Sequence, residues 1–417
     1  MVLFLHNRYR TTGGEERAVE DLMWLVREHL HEPAELLARD SASLGSARAA
    51  VGLLRGGLEP DEVARAVRMS GARVVHAHNL QPALGWRALA AARSAGARVV
   101  LHLHQYRLVC AIGVCFTRGA ECTRCHGRDT LPGVRLNCRG SAPEALAYAA
   151  GLALWQRRLV EQADAVIVPS HFARERLREL GAPLDWERVH VLAPPLREPV
   201  VASGSAMPVA GTDVAAGTDL AADAPVAADS PVGRYALLVA RLAPEKGVDV
   251  AIDACRIAGI RLVIAGDGPE RSALTRRAGE VAGVGDAVCF VGHVEDRELA
   301  RLRAGAAIAL APSRSAETFG LAAAEAMAAG LPVVASRVGA LPELVEPDAL
   351  VAPGDPGALA VAITRFAGDR EAGARACERV RALCAPAALA PALAEVYDGR
   401  DPERGRSVGP GSRPEST

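Results

Sequence analysis

Two cations and two carboxylates in the second half of the chain have the types and spacing needed to bind a phosphorylated ligand. Lys246 is the only lysine among 48 basic residues, and its loop also contains Arg241. Lysine carries a compact charge on a flexible stem and arginine a planar fork, so the two can meet a phosphate group from different directions. Glu317 and Glu325 follow, eight positions apart. A lone lysine can also be an accident of composition, but these neighbours favour a functional reason.

Strand-to-helix loops must position these side chains. The apolar run 235–240 predicts a buried strand that ends at the arginine, and Gly247 opens a helical pattern, so both cations lie in one loop. The two glutamates flank the start of an alanine-rich helix that Gly330 closes. Between them and the cations, another buried-type strand meets a glycine turn at 266–268 and a helix that begins with proline. Alternating strands and helices predict a parallel sheet.

The loop before the alanine-rich helix predicts an anion site. Phe319 and Gly320 lead into this helix, whose first free amide groups and positive dipole end face the carboxyl edge of the sheet. Glu317 and Glu325 can accept hydrogen bonds from hydroxyl groups on either side of the anion. A diphosphate with polyols at both ends, which is a nucleotide sugar, fits this set of groups. The alternative is that both glutamates are solvated charges at a helix entry.

These segments resemble the carboxyl-terminal domain of the family 4 retaining glycosyltransferases. The most specific part is the run from Glu317 to Glu325, which continues as Ala-Met-Ala-Ala-Gly-Leu-Pro-Val-Val, and the resemblance covers residues 1 to about 395. It implies an α/β chain with the GT-B fold, in which two Rossmann-like, doubly wound parallel-sheet domains face each other across a cleft. It also implies transfer with retention at the anomeric carbon and no divalent metal in the chemistry.

The resemblance assigns roles to individual residues of the second half. It implies that Arg241 and Lys246 hold the donor diphosphate, that Glu317 meets sugar hydroxyls and that Glu325 meets the nucleotide ribose. Together with His104 of the first half, the first three form the implied catalytic set. The implied donor-binding residues are Gly13, Gly14, Gly266, Asp267, Gly268, Val294, Thr318, Phe319, Gly320, Leu321 and Glu325.

The first half has weaker signals. Gly13 and Gly14 follow the first strand, and they form either a plain turn or, as the resemblance implies, a backbone approach to the donor diphosphate from the opposite domain. The family usually carries a His-Asp pair at a strand end, where this chain has His104 followed by Gln105. For the histidines at 76 and 78, core packing and lining of the substrate cleft both remain open.

Five of the nine cysteines fall within residues 110–138, and Cys122 and Cys125 have the spacing of a zinc knuckle. Disulfides do not persist in a reducing cytoplasm, so a metal site explains the cluster better. Some family members carry a similar four-cysteine insertion. By that resemblance we predict a closed structural zinc site, with Cys115 left free, formed by Cys110, Cys122, Cys125 and Cys138. The alternatives are His126 in place of one ligand, unligated buried thiols and a redox switch.

Length and composition predict two domains. The 417 residues exceed one comfortable core, and half of them are hydrophobic with few aromatics. The pattern predicts a first domain at 1–199 with a cysteine-rich insertion at 105–140, a flexible linker at 200–232, a second domain at 233–397 and a disordered tail at 398–417. The family resemblance implies that the first domain binds the acceptor and the second the nucleotide sugar.

Charge and hydropathy bear on two questions, nucleic-acid binding and cellular location. A net charge of −1 and the lack of a basic block with interleaved aromatics argue against nucleic-acid binding. The initial apolar run ends at His6 without a cleavage-type site, and no apolar run reaches about 18 residues, so we expect a cytoplasmic protein. The helix pattern at 143–162 carries Trp155 and two arginines, which permits peripheral contact with the inner face of the membrane, although packing on the sheet is favoured.

We therefore predict a retaining hexosyltransferase that uses a UDP- or GDP-linked sugar and a glycan, lipid-linked or natural-product acceptor. No catalytic cofactor is expected. One alternative is an inactive nucleotide-sugar or glycan-binding subunit of a biosynthetic complex, and another is a zinc-knuckle nucleic-acid binder. Among other enzymes of this fold, phosphorylases carry a cofactor aldehyde on a lysine, and Lys246 in a phosphate loop is badly placed for that role.

Overall fold

The computed structural model describes residues 1–9, 13–197, 235–280 and 287–400. The linker predicted at 200–232 lies outside the described residues, as does the tail from residue 401 onward.

The first half contains one large sheet and one small hairpin. Its strands are β1 (Val2–Arg8), β2 (Ala34–Asp40), β3 (Val74–Ala77), β4 (Arg98–His102), β5 (Phe116–Thr117), β6 (Ala120–Glu121), β7 (Ala165–Val168) and β8 (Val189–Val191). Six of them form a parallel sheet in the order β2-β1-β3-β4-β7-β8, while β5 and β6 pair antiparallel within the cysteine-rich segment.

The second half contains a six-stranded parallel sheet in the order 3-2-1-4-5-6. Its strands are β9 (Tyr235–Val239), β10 (Arg261–Ala265), β11 (Val288–Gly292), β12 (Ile308–Ala311), β13 (Val333–Ser336) and β14 (Leu350–Val351). They lie in the order β11-β10-β9-β12-β13-β14. The prediction of an α/β chain with two doubly wound parallel sheets is confirmed.

Helices cover the sheets on both sides. They are α1 (Gly14–His29), α2 (Ser46–Arg55), α3 (Pro60–Ser70), α4 (Gly85–Ser94), α5 (Leu131–Arg135), α6 (Ala142–Glu161), α7 (His171–Glu179), α8 (Val248–Ala258), α9 (Arg271–Glu280), α10 (Asp296–Gly305), α11 (Leu321–Ala328), α12 (Leu341–Leu344), α13 (Pro356–Phe366), α14 (Arg370–Cys384) and α15 (Pro386–Asp398). The strands β3, β7 and β13 are buried along their whole length, as parallel strands covered on both faces must be.

Each sheet reverses its winding direction once, and these reversals define where a ligand fits. The chain passes from β1 to β2 on one side and then to β3 on the other, and it passes from β9 through β10 and β11 before returning to β12. Loops that leave neighbouring strands in opposite directions open a crevice at the carboxyl edge of the sheet. The loops after β9 and β12 contain Arg241, Lys246, Glu317 and Gly320, and the loop after β1 contains Gly13.

The last helix departs from the predicted domain boundary. We assigned residues 233–397 to the second domain, yet α15 packs on α1 and β4 of the first. Leu393 and Tyr397 are buried in the same core as Phe4, and Tyr397 shares a 2.7 Å hydrogen bond with His76. An amphipathic pattern predicts a helix but not the sheet that covers it, so this placement was not visible in the sequence. The helix also runs through Asp398, where we predicted the disordered tail to begin.

The run Arg370–Asp398 is the one candidate membrane span among the described residues, with 29 residues and a mean hydropathy of 1.2. It consists of α14 and α15, whose apolar faces pack inside the protein. Val380 belongs to the core of the second domain and Val396 to that of the first. Core helices pass the same test of length and composition, so the run is weak support for a membrane segment.

Candidate active site

The loop after β9, which carries both predicted cations, packs backbone to backbone on the glycine turn after β10. The Leu242 amide donates to the Asp267 carbonyl over 2.9 Å. At Gly266, φ is +133° and a Cβ atom would lie 2.0 Å from the Ala240 carbonyl oxygen. A Cβ at Gly268 would lie 2.4 Å from the carbonyl oxygen of Leu242. Only glycine allows this approach, so the turn fixes the height of the cation loop above the sheet.

Lys246 and Glu317 meet at the centre of the site. The Lys246 Nζ atom donates to Glu317 Oε1 over 2.6 Å, and the Ser313 hydroxyl donates to the same oxygen over 2.6 Å. Gly247 makes this contact possible, because a Cβ there would lie 2.1 Å from the Pro312 carbonyl oxygen at the end of β12. Burial alone would raise the pKa of Glu317, but the lysine charge and the hydrogen bonds outweigh it and hold the pKa below its usual range. The carboxylate is therefore ionised.

The other two predicted charges have partners of their own. Arg241 contacts the Glu245 carboxylate, four residues further along the same loop. Glu325 contacts Arg303 of its own domain and lies 2.6 Å from the Arg17 Nε atom of the opposite domain, an ion pair without an aligned hydrogen bond. Both charges thus have counter-ions in this structure. A ligand that binds either charge must displace its counter-ion.

The start of α11 faces the first domain. Gly320 has φ of +100°, and a Cβ there would lie 2.7 Å from Leu341, so glycine is required before the helix. Leu321 Cδ2 lies 3.6 Å from the Cβ position of Gly14, which places the two predicted glycine-and-helix loops opposite each other. Phe319 is buried in the second core and anchors the loop.

Thr318 connects the two domains at the histidine that we predicted to be catalytic. Its hydroxyl donates to the His104 carbonyl oxygen over 2.8 Å, and its own carbonyl accepts from the Ser170 hydroxyl over 2.7 Å. These contacts set the loop of the second domain against the strand end of the first. The structure therefore brings His104 and the residue next to Glu317 into one site.

The glycine loop of the first domain is held by Glu16. Its carboxylate accepts from the Gly13 amide over 2.8 Å and from the Tyr9 amide over 3.1 Å. Burial would raise the pKa of Glu16, but the nearby His6 ring, 3.7 Å away, and the hydrogen bonds from these amides lower it below its usual range. Residues 10–12 between the two amides lie outside the described residues.

His104 lies at the end of a buried row of histidines. Its Nε2 atom is 2.7 Å from His78 Nδ1, and its ring stacks on that of His102 with centroids 4.1 Å apart. Burial lowers the pKa of His104, an effect that the charge of Glu15 partly offsets. His78 both packs in this row and lines a pocket, whereas His76 is wholly buried. Core packing therefore describes His76, whereas His78 both packs in the core and lines the pocket.

Three of these histidines resemble a metal site but do not form one. His76, His78 and His102 bring one nitrogen atom each within 4.8 Å of the others. Their ring planes, however, lie only 12–27° from parallel. A metal ion lies in the plane of each imidazole that binds it, so lone pairs on parallel stacked rings cannot converge on one ion. We assign these residues to packing and hydrogen bonding.

Glu15 is a site residue that the sequence analysis missed. Its Oε2 atom accepts from the Tyr9 hydroxyl over 2.7 Å and from Gln105 Nε2 over 3.0 Å. A carboxylate therefore lies beside Gln105, where the family resemblance leads one to expect an aspartate. The signal for it was weak, since a glutamate directly after the Gly-Gly turn also serves as an ordinary first-turn residue of a helix.

Two of the predicted donor-binding residues, Val294 and Asp267, lie in the loops after β11 and β10. Val294 follows β11 and is partly buried against the second core. The Gly266 amide donates to the Gly292 carbonyl over 2.6 Å and joins this segment to the glycine turn. Asp267 is exposed and accepts from the Gly268 amide over 2.7 Å, so its carboxylate shapes the turn.

The predicted cysteines converge on one small cavity under α5. All are free thiols, and the cavity is lined by Cys110, Cys115, Cys122, Cys125 and Cys138. Cys115, which we predicted to be left free of the metal, also lines the cavity, and its hydrogen bond lowers the pKa of Cys110 to about 6. His126 packs its ring on Gly181 instead. Among the described residues, the three ligand atoms grouped within 4.8 Å are those of the histidine row and not of this cluster.

Two facing, doubly wound domains with loop sites at both reversals define the GT-B class of glycosyltransferases. Two family models match the chain: the glycosyl transferase 4-like domain over residues 9–195 and glycosyl transferases group 1 over residues 230–382. The chain belongs to the family 4 glycosyltransferases.

Curated relatives match over part of their length. The chain is 43% identical over 149 residues to a GDP-mannose-dependent alpha-(1-6)-phosphatidylinositol dimannoside mannosyltransferase of Mycobacterium tuberculosis, which covers 34% of this chain and 38% of that protein. It is 32% identical over 228 residues to a D-inositol 3-phosphate glycosyltransferase of Mycolicibacterium smegmatis, or 53% and 48% of the two chains. The chain thus spans less than half the length of these relatives.

Among solved structures, the fold is similar to that of Anabaena HepE in complex with UDP and glucose. The TM-score is 0.59 with 19% identity, and the match covers 95% of this chain and 99% of the other. At this identity the likeness shows the fold alone.

Proposed function

We propose that the protein is a retaining glycosyltransferase that moves a hexose from a UDP- or GDP-linked donor to a glycan, lipid-linked or natural-product acceptor. The observation that carries this proposal is the Lys246–Glu317 pair, which lies beside the start of α11 and opposite His104. The family membership supports the reaction class. A GDP-mannose-dependent relative supports the donor class.

The donor diphosphate would exchange partners with the carboxylates. Lys246 and Arg241 would turn from Glu317 and Glu245 to the phosphate oxygens, and the first amides of α11 would add further donors. Negative charge develops on the departing diphosphate, and these groups are already in place to stabilise it. The two cations supply charge that a divalent ion supplies in other sites, so we infer that the chemistry needs no divalent metal.

The sugar would lie between Glu317 and His104. The carboxylate can accept hydrogen bonds from sugar hydroxyls once Lys246 has turned to the phosphate. The partly buried His104 imidazole, whose pKa desolvation lowers, can donate or accept one. The acceptor hydroxyl then bonds to the anomeric carbon on the face that the diphosphate leaves. The carbon–phosphate oxygen bond breaks, and a leaving phosphate oxygen takes the hydroxyl proton.

A thermal-shift screen with UDP, GDP, ADP, TDP and their sugar conjugates tests the donor. A ligand at about 100 times its dissociation constant adds about 2.7 kcal/mol of stability. We expect a shift with one nucleotide family that is lost in Lys246→Ala and retained in Arg365→Ala, a matched change on the exposed surface of α13. Transfer of sugar to an acceptor must follow. Binding without turnover for any acceptor would instead indicate a binding subunit, and a shift with no nucleotide would contradict the proposal.

We also propose that the cysteine cavity holds one structural zinc ion, since five free thiols line this one small cavity. The cysteine at 115 adds a fifth candidate ligand to the four predicted. Protein purified under reducing conditions should contain about one equivalent of zinc, lost when Cys122 and Cys125 are changed to serine but kept in the matched Cys377→Ser. A folded, metal-free protein with full activity would contradict the site.

The domain roles and location follow as part of the proposal. Residues 1–199, with the insertion 105–140 and α15, would bind the acceptor, and residues 233–385 would bind the donor. All nine cysteines are free thiols, which supports a reducing, cytoplasmic location. Exposed leucines on α6 support peripheral contact with the inner face of a membrane.

A further inference from the structure

The first domain contains a cavity that the donor site does not use. It lies between α2, α4 and α6 at the carboxyl end of β3 and β4, and it is partly open to solvent. One end is polar and is formed by Glu15, His78, His104 and Gln105. The reaction site therefore opens directly into this cavity.

The opposite end of the cavity is apolar. Trp86 and Trp155 face each other with ring centroids 5.8 Å apart, and Leu53, Leu152 and Leu159 complete the wall. An apolar wall of this size in contact with water is costly, and an apolar ligand removes the cost. Sugars alone cannot use such a wall fully, because they carry hydroxyl groups on most sides.

The wall is fixed rather than adaptable. A Cβ at Gly52 would lie 2.5 Å from the Pro82 carbonyl oxygen, and one at Gly56 would lie 2.1 Å from Trp86 Nε1. These glycines let α2 approach α4 closely and set the position of Trp86. Trp155 is held from the other side, because its Nε1 atom donates to the Leu54 carbonyl over 3.0 Å. The cavity is therefore shaped before a ligand arrives.

Apolar surface continues outside the cavity. On α2 and α6, the residues next to those that line the wall are exposed, with 46% exposure for Leu54 and 50% for Leu154. Leu146, about two turns before Leu154 on α6, is 62% exposed.

We propose that this cavity binds the acceptor through an apolar group, attached close to the hydroxyl that reaches His104 and Glu15. The inference rests on the proposed function for the role of acceptor. The apolar group is either a lipid chain or an aromatic ring, which the cavity recognises by the same chemistry. Trp86 and Trp155 select such acceptors over free sugars.

Tryptophan fluorescence and thermal shift with simple glycosides test the inference. The probes are methyl, octyl and phenyl β-glucoside at equal concentrations below micelle formation. Each buried methylene contributes about fourfold in affinity. Burial of three methylenes of the octyl chain therefore predicts that octyl glucoside binds about 60-fold more tightly than methyl glucoside. Preference for octyl over phenyl would indicate a lipid acceptor, and the reverse an aromatic one. Equal binding of all three would overturn the proposal.

Variants separate the cavity from unspecific binding of amphiphiles. Trp155→Ala should lower octyl glucoside affinity at least about tenfold, while Trp186→Ala, outside the cavity, should leave it unchanged. If Trp155→Ala does not fold, Trp86→Phe provides a milder change with the same expected direction. Undiminished binding in the folded cavity variants would refute the site. Nucleotide binding is measured separately, so failure of the donor proposal and failure of this one give different results.

Discussion

Lys246→Ala should separate the two roles of the lysine. In this structure the ammonium neutralises Glu317, whose side chain is 18% exposed, and in the proposed reaction it binds the diphosphate. Its loss leaves a largely buried carboxylate with Ser313 as its remaining donor. We expect a loss of about 2 kcal/mol in stability, between the values for surface and fully buried pairs. Transfer should fall about 100-fold.

The double variant Lys246→Ala/Glu317→Gln tests this reasoning. The amide removes the unpaired charge, so most of the lost stability should return while transfer stays low. The assays are thermal unfolding and kcat/KM for sugar transfer, with Arg365→Ala as the control. Near-normal transfer in Lys246→Ala would refute the donor-site assignment. Stability that does not recover in the double variant would refute the account of the ion pair.

The pH dependence of the same pair has a defined sign. The pKa of Glu317 lies below its usual value of 4.5, so its pair with the lysine stabilises the fold above that pH. This contribution is lost as the pH falls through the depressed pKa. The stability difference between wild type and Lys246→Ala should therefore be full at neutral pH and shrink in acid. Unfolding curves across this range that show a constant difference would contradict the assignment.

Three further changes test other parts of the site. Gly320→Ala should destabilise the protein by about 1–3 kcal/mol more than Gly330→Ala, as measured by denaturant unfolding. Both glycines have positive φ, but only a Cβ at Gly320 would meet a neighbouring side chain. Arg17→Ala frees Glu325 from its cross-domain partner and should tighten nucleotide binding severalfold by calorimetry, whereas weaker binding would mean that the arginine itself holds the donor. Because burial lowers the pKa of His104, the pH–rate profile should show no loss from its protonation near its usual value of 6.5.

Local patterns predicted the elements that carry the donor site. The run 235–240, predicted to be a buried strand, occurs as β9. The edge strand β2 was not predicted, because its residues are mostly half-buried and lack a continuous apolar run. Elements of this kind take their shape from the neighbour that covers them.

Pairings between distant residues could not be predicted in the same way. The contacts of Glu325 with Arg17 and of Tyr397 with His76 join positions about 300 residues apart. Nothing in either local segment indicates its partner, since both ends are ordinary helix or strand residues by themselves. The same holds for Cys115, which the family resemblance left free and which lines the same cavity as the other four cysteines.

By itself, the sequence determined the fold class, the cation loop, the two glutamates and the glycine turns, because each depends on residues within one loop or helix entry. The tertiary structure alone decided that Lys246 pairs with Glu317, that Glu15 supplies a carboxylate beside Gln105 and that an apolar cavity opens at His104. These features arise where the carboxyl ends of separate strands meet. Their geometry depends on how two sheets and their helices pack, and no single segment of the chain encodes it.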